Sequence, residues 1–210
     1  MCIICVSGKG VRQPNEAEIR QMFKRNPHGA GYMVAEGDGV RIEKGFMNVT
    51  ELLRELRREK FTEDDVVVYH FRISTQAGVN PEMTQPFPLT KKLDYMKYLT
   101  VVKCACGVAH NGIIALTSDP NETEYSDTAL YIAEYLTKIV RNPSDLTDDE
   151  VLESVERQIR SKMVLLDASG EYAVIGHFIR RDGLLFSNGS FEEYKQEYFT
   201  LKDVIKRRGA

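Results

Sequence analysis

Apolar residues in this chain come in short runs with turn signals between them. No other feature constrains the fold as much. Runs at 2–7, 32–35, 40–46, 66–72, 101–109, 113–116, 163–167, 172–179 and 183–187 are short, and the strongest, 66–72, is β-branched and aromatic. They predict strands. Glu36-Gly37-Asp38-Gly39, Asn111-Gly112, Ala168-Ser169-Gly170 and Arg181-Asp182-Gly183 separate neighbouring runs and predict hairpin turns. Hairpins build antiparallel sheets. Sheets this apolar need cover on both faces, so the pattern predicts an α+β fold: two stacked, mainly antiparallel sheets flanked by helices.

The helices carry their own start signals. Asn15 and Glu18 form a capping box ahead of Ile19, Met22 and Phe23. Asn48 or Thr50 caps a helix bearing Leu52, Leu53 and Leu56. Ser126 caps a long helix over 127–140, which Pro143 ends. Thr147 and Glu150 suggest a second capping box for a helix to about residue 159. Helical segments at 191–198 and 201–208 follow. Residues 74–89 are rich in Gly, Pro, Asn, Thr and Gln. A loop that long is usually functional, and it is a candidate lid.

At 210 residues, the chain has the length of one domain, 1–210. The formal net charge of −3 supplies no global positive field for nucleic acid or anionic membrane. The basic cluster Lys206-Arg207-Arg208 reads as a solvated helix end. No segment approaches the roughly 20 apolar residues of a membrane span. The apolar start at 2–6 is short and lacks a preceding cationic segment, so a secretory signal is not expected. A cytoplasmic chain is expected, in which Cys2, Cys5, Cys104 and Cys106 form no disulfide framework.

Cys2 has two readings. In one it opens a buried strand. In the other, Met1 is removed and Cys2 gains a free α-amine beside its thiol. That amine titrates near 7.7–8.0 and serves as a general base for the thiol. Acyl transfer also needs donors aimed at a developing oxyanion. The Asn111 amide and the Gly112 N–H can supply them, each worth about 3–4 kcal/mol. Arg72, between a strand and the long loop, can fork onto a carboxylate. Asp127, at a helix start, can accept from an ammonium, although a first-turn acid is common for dipole reasons alone.

These residues resemble the class II (N-terminal cysteine) glutamine amidotransferases of the Ntn-hydrolase superfamily. The resemblance rests on Met1-Cys2-Ile3-Ile4, the stretch Arg25-Asn26-Pro27-His28-Gly29-Ala30-Gly31, Phe71-Arg72-Ile73-Ser74-Thr75-Gln76, His110-Asn111-Gly112-Ile113-Ile114, and Ser126-Asp127-Thr128. It implies a four-layer αββα fold and hydrolysis of glutamine or a γ-glutamyl amide. It implies Cys2 as nucleophile and Asn111 and Gly112 as oxyanion hole. Arg72, Thr75, Gln76 and Asp127 would contact substrate. It implies no cofactor, and either stand-alone hydrolysis or ammonia delivery to a separate synthase. The chain departs from the family at Ile3 (usually Gly), Ile73 (often aromatic), Gln76 (often His) and Gln85-Pro86 (usually His-Pro). These departures bear on substrate identity more than on the nucleophile.

Three other readings compete. Four thiols can bind zinc, but strand parity puts Cys2 and Cys5 on opposite faces, with Cys104 and Cys106 on one. A cysteine could instead pair with His28, His70, His110 or His177. The domain could also bind a ligand or partner without catalysis.

Overall fold

The computed structural model describes residues 1–74, 78–115 and 124–192. Its strands are β1 (Ile3–Ser7), β2 (Ala30–Ala35), β3 (Val40–Phe46), β4 (Val67–Phe71), β5 (Phe87–Pro88), β6 (Val101–Cys104), β7 (Cys106–Asn111), β8 (Lys162–Asp167), β9 (Tyr172–Ile175), β10 (Ile179–Arg181) and β11 (Leu184–Phe186). The helices are α1 (Glu16–Arg25), α2 (Val49–Glu59), α3 (Leu93–Tyr98), α4 (Asp127–Tyr131), α5 (Thr137–Ile139) and α6 (Asp149–Ile159).

Two antiparallel sheets result. The larger has the order β10-β11-β1-β4-β2-β3-β6, and the smaller β5-β7-β8-β9. Three apolar cores separate the layers. Ile19, Met22, Phe23, Leu52 and Leu53 from α1 and α2 pack on Ile3, Cys5, Tyr32 and Tyr69 of the larger sheet. Its other face sends Ile4, Val6, Met33 and Val68 against Ala109, Val164 and Leu166 of the smaller sheet. The outer face of the smaller sheet packs Val108, Met163 and Leu165 on Tyr131, Ile132, Leu136, Val155 and Ile159. The strand period of two explains this: Ile3 and Cys5 face one core, Ile4 and Val6 the next. Because both faces are covered, β1 and β4 are buried throughout.

The α1 start follows the sequence: the Asn15 side chain accepts from Glu18 N, and Glu18 accepts from Asn15 N. Asn48, the first of two candidates, caps α2. Elsewhere the structure corrects the expectations. The 101–109 run is not one strand. It breaks at Ala105, with β6 on the edge of the larger sheet and β7 inside the smaller. Half-exposed β6 and fully buried β7 differ because only β7 has neighbours on both sides.

Asn111-Gly112 makes no hairpin. β7 pairs instead with β5 and β8, both distant in sequence. The run 172–179 splits near Gly176, which has φ +82° and where a Cβ would lie 2.6 Å from Ser161 O. The chain then crosses to the larger sheet, where β11 pairs with β1. The 127–140 helix contains a π-helical turn, Ile132–Leu136. Asp148, not Thr147, caps α6.

The loop at 74–89 is not all lid. Met83, Thr84, Gln85 and Phe87 are buried. Gln85 Oε1 accepts from His110 N at 2.8 Å, and Lys44 Nζ donates to Glu82 O at 2.7 Å. These ties fix the second half of the loop. Thr75, Gln76 and the C-terminal helical expectations beyond residue 192 lie outside the described residues.

Candidate functional site around Cys2

Cys2 immediately precedes β1, a central strand. The register Ile3↔Phe71 continues to place residue 2 beside residue 72. The Cys2 thiol is partly buried, with Sγ 3.7 Å from Ile73 O. Burial pushes its pKa above the ordinary thiol value. The Ile73 main chain, the chain's amino terminus and Arg72 pull it back, while Asp127 adds to the rise. The thiol therefore sits within electrostatic reach of two cations and one carboxylate, with Arg72 and Asp127 among the residues named from sequence.

Arg72 follows β4 and is mostly buried. Burial lowers its pKa and Cys2 acts against that shift. Its Nη1 donates to Gly78 O at 2.9 Å, and Nη2 to Ser74 Oγ at 3.2 Å. The guanidinium thus also shapes the start of the long loop.

Asn111 ends β7 in the facing sheet, and β1 packs against β7. Its Nδ2 lies 2.9 Å from Ser187 Oγ, and its Oδ1 is buried without a hydrogen-bond partner. Gly112 has φ +154°, and a Cβ there would meet Ser161 Cβ at 2.4 Å. Both the backbone angle and the close approach require glycine.

Asp127 opens α4 behind its cap, Ser126. Its Oδ2 accepts from Ile114 N, and its Oδ1 from Thr128 N, both at 2.7 Å. It therefore secures the segment after Gly112 as well as facing the thiol's surroundings. Below it, His110 Nδ1 lies 2.9 Å from Thr128 Oγ1, and Nε2 2.7 Å from Ser161 Oγ. His70 Nε2 lies 3.1 Å from His110 O. Burial pushes both imidazoles toward the neutral form, His70 to about 3.

Three residues that carried no role in the sequence reading join the site. Asn26 Nδ2 donates to Met1 O at 2.9 Å and Phe71 O at 3.2 Å. Asn188 Nδ2 donates to Cys2 O at 2.7 Å. The carbonyls of residues 1 and 2 are each held by a carboxamide. Ser187 Oγ accepts from Ile4 N at 2.9 Å, so one hydroxyl touches both β1 and Asn111. The only sequence signal for any of them is the loose Arg25–Gly31 motif, which contains Asn26; residues 187 and 188 have none.

The other cysteines lie elsewhere. Cys5 packs among α1 and α2, and Cys106 in the outer core of the smaller sheet. The four thiols do not converge as a tetrahedral site requires. Among the described residues, no histidine nitrogen bonds a cysteine sulfur. A triad of acids, Glu43, Glu55 and Glu59, lies close together, but Arg41 pairs with Glu43 and Glu59. Among the described residues no helix is long and apolar enough to cross a membrane. The chain matches no protein-family model and no curated protein sequence.

Proposed function

We propose that this chain is an N-terminal-nucleophile amide hydrolase of the class II glutamine amidotransferase kind, with the layers forming that family's αββα sandwich. Its substrate is glutamine or a γ-glutamyl amide. The observation that carries the reading is the setting of Cys2: a partly buried thiol within electrostatic reach of Arg72 and Asp127, its own carbonyl held by Asn188.

Removal of Met1 frees the Cys2 α-amine. That amine takes the thiol proton as Sγ attacks the side-chain carbonyl carbon. The carbonyl oxygen becomes an oxyanion facing Asn111 and Gly112. As the C–N bond breaks, the α-ammonium returns the proton to the leaving ammonia. Water then attacks the thioester and the amine accepts its proton; the S–C bond breaks to release the acid, and the ammonium returns the proton to the departing sulfur. Arg72 takes the substrate α-carboxylate and Asp127 its α-ammonium, with Thr75 and Gln76 assisting. The scheme uses no metal or organic cofactor. It suits a cytoplasmic enzyme, acting alone or passing ammonia to a separate synthase.

Ammonia release from L-glutamine by wild type and Cys2→Ser tests the reading. Wild-type turnover that Cys2→Ser abolishes supports it; equal turnover in both ends it.

A further inference from the structure

Ser187 is fully buried and fixed from both sides of its backbone. Its N donates to Ile4 O at 2.9 Å, and its carbonyl accepts from Lys162 Nζ. Its Oγ accepts from Ile4 N at 2.9 Å. The hydroxyl therefore has one acceptor role filled by β1 and one proton to donate.

The Asn111 carboxamide is the group next to that proton. With Nδ2 toward Ser187, the hydroxyl receives a second donor and its own proton has no acceptor. Oδ1 is then a buried acceptor without a partner. A carboxamide turned by half a revolution about Cβ–Cγ occupies the same space. The Ser187 O–H then donates to Oδ1. The orphaned buried position is taken by the NH₂ group, which carries two donors and awaits an acceptor.

We infer that Ser187 is a positioning residue that holds Asn111 in the turned orientation, aiming its NH₂ at the substrate oxyanion. The inference rests on the amide-hydrolase reading. It assigns the residue that selects which end of Asn111 faces substrate. The same hydroxyl accepts from Ile4 N, two residues from the nucleophile, but the Ser187 main chain holds Ile4 O independently, so β1 keeps that tie when the hydroxyl is removed. A buried donor lacking a partner in the free protein is costly, and the developing oxyanion supplies that partner.

The test is a double-mutant cycle with wild type, Ser187→Ala, Asn111→Ala and the double variant. Two rates are measured: ammonia release from L-glutamine and alkylation of Cys2 by iodoacetamide. Alkylation forms an S–C bond and expels iodide from a saturated carbon, so no oxyanion arises. Ser187→Ala is expected to lower kcat about 10–100-fold with KM nearly unchanged. Cys2 alkylation should stay at the wild-type rate, and adding Ser187→Ala to Asn111→Ala should cause no further loss of kcat. Unchanged kcat in Ser187→Ala overturns the inference. So does a parallel fall in kcat and alkylation, which marks a disturbed nucleophile strand, or losses that multiply in the double variant. Retained ammonia release in Cys2→Ser overturns the amide-hydrolase reading itself. Dependence on Cys2 with indifference to Ser187 overturns only the present step.

Discussion

Cys2 and Cys5 belong to the same short apolar run, Cys2 just ahead of β1 and Cys5 in its middle, and their surroundings are opposite. Cys5 is fully buried between the larger sheet and α1–α2. Burial drives its thiol far up, Glu18 adds to the rise, and Arg12 opposes it weakly. Cys2 is also raised by burial, but Ile73, the amino terminus and Arg72 all oppose the rise. The one cysteine is sealed by side chains from two helices. The other stands where the strand begins and polar groups from both sheets meet. Sulfur chemistry here follows position along the strand: sheet interiors are apolar on every side, while strand ends admit charge.

The largest expected contrast is direct replacement. Cys2→Ser should lower ammonia release by about 1000-fold or more, since the hydroxyl is the weaker nucleophile in a site built for sulfur. Cys5→Ala should leave turnover within a factor of about two and lower stability by about 1 kcal/mol, read by thermal unfolding. Comparable losses of activity from both variants would erase the distinction between the start of the strand and its middle.

Asn111→Ala comes next, with kcat falling about 100–1000-fold and KM little changed. A rise in KM alone would move Asn111 from the reacting centre to ground-state binding. Arg72→Ala should raise KM for glutamine about 10–100-fold, the loss of a charge-assisted hydrogen bond of about 1.5–3 kcal/mol. An unaltered KM would show that the substrate carboxylate lies elsewhere.

A smaller effect sharpens the electrostatic contrast. Arg72 favours the Cys2 thiolate, so its removal raises an already raised thiol pKa. The pH profile of Cys2 alkylation in Arg72→Met should therefore move to higher pH, with slower reaction at pH 8. Cys5, away from Arg72, should show no such shift once exposed by denaturant. A profile that moves to lower pH would contradict the placement of Arg72 beside the thiol.

Much of the fold was legible because its signals are local. The Asn15–Glu18 capping box, the apolar side of α1 and the hairpin β2–β3 depend on residues within a few positions of each other. The failures depend on distant partners. Val101 and Cys106 look alike as strand formers, yet the chain changes sheets between β6 and β7 because β7 fits between β5 and β8. Asn111-Gly112 has the composition of a tight turn, but the glycine is needed where Ser161 approaches, 49 residues later in the chain.

The site divides in the same way. Cys2, Arg72 and Asp127 carry chemistry that their residue types announce, and the fold brings Arg72 and Asp127 within electrostatic reach of the Cys2 thiol. Asn26, Ser187 and Asn188 are ordinary cap and turn residues by composition. Only their contacts with Met1, Cys2, Ile4 and Asn111 distinguish them. The long loop misled in part: its polar composition hides the buried ties of Gln85 to His110 and of Lys44 to Glu82.

Peptide mass mapping of active protein treated with a glutamine-derived electrophile bears most directly on the nucleophile. The expected N-terminal peptide begins at Cys2 and carries a single adduct on that sulfur, with turnover lost in step. Fully active protein still beginning at Met1, or inactivation with the adduct on Cys5, Cys104 or Cys106, would contradict the account.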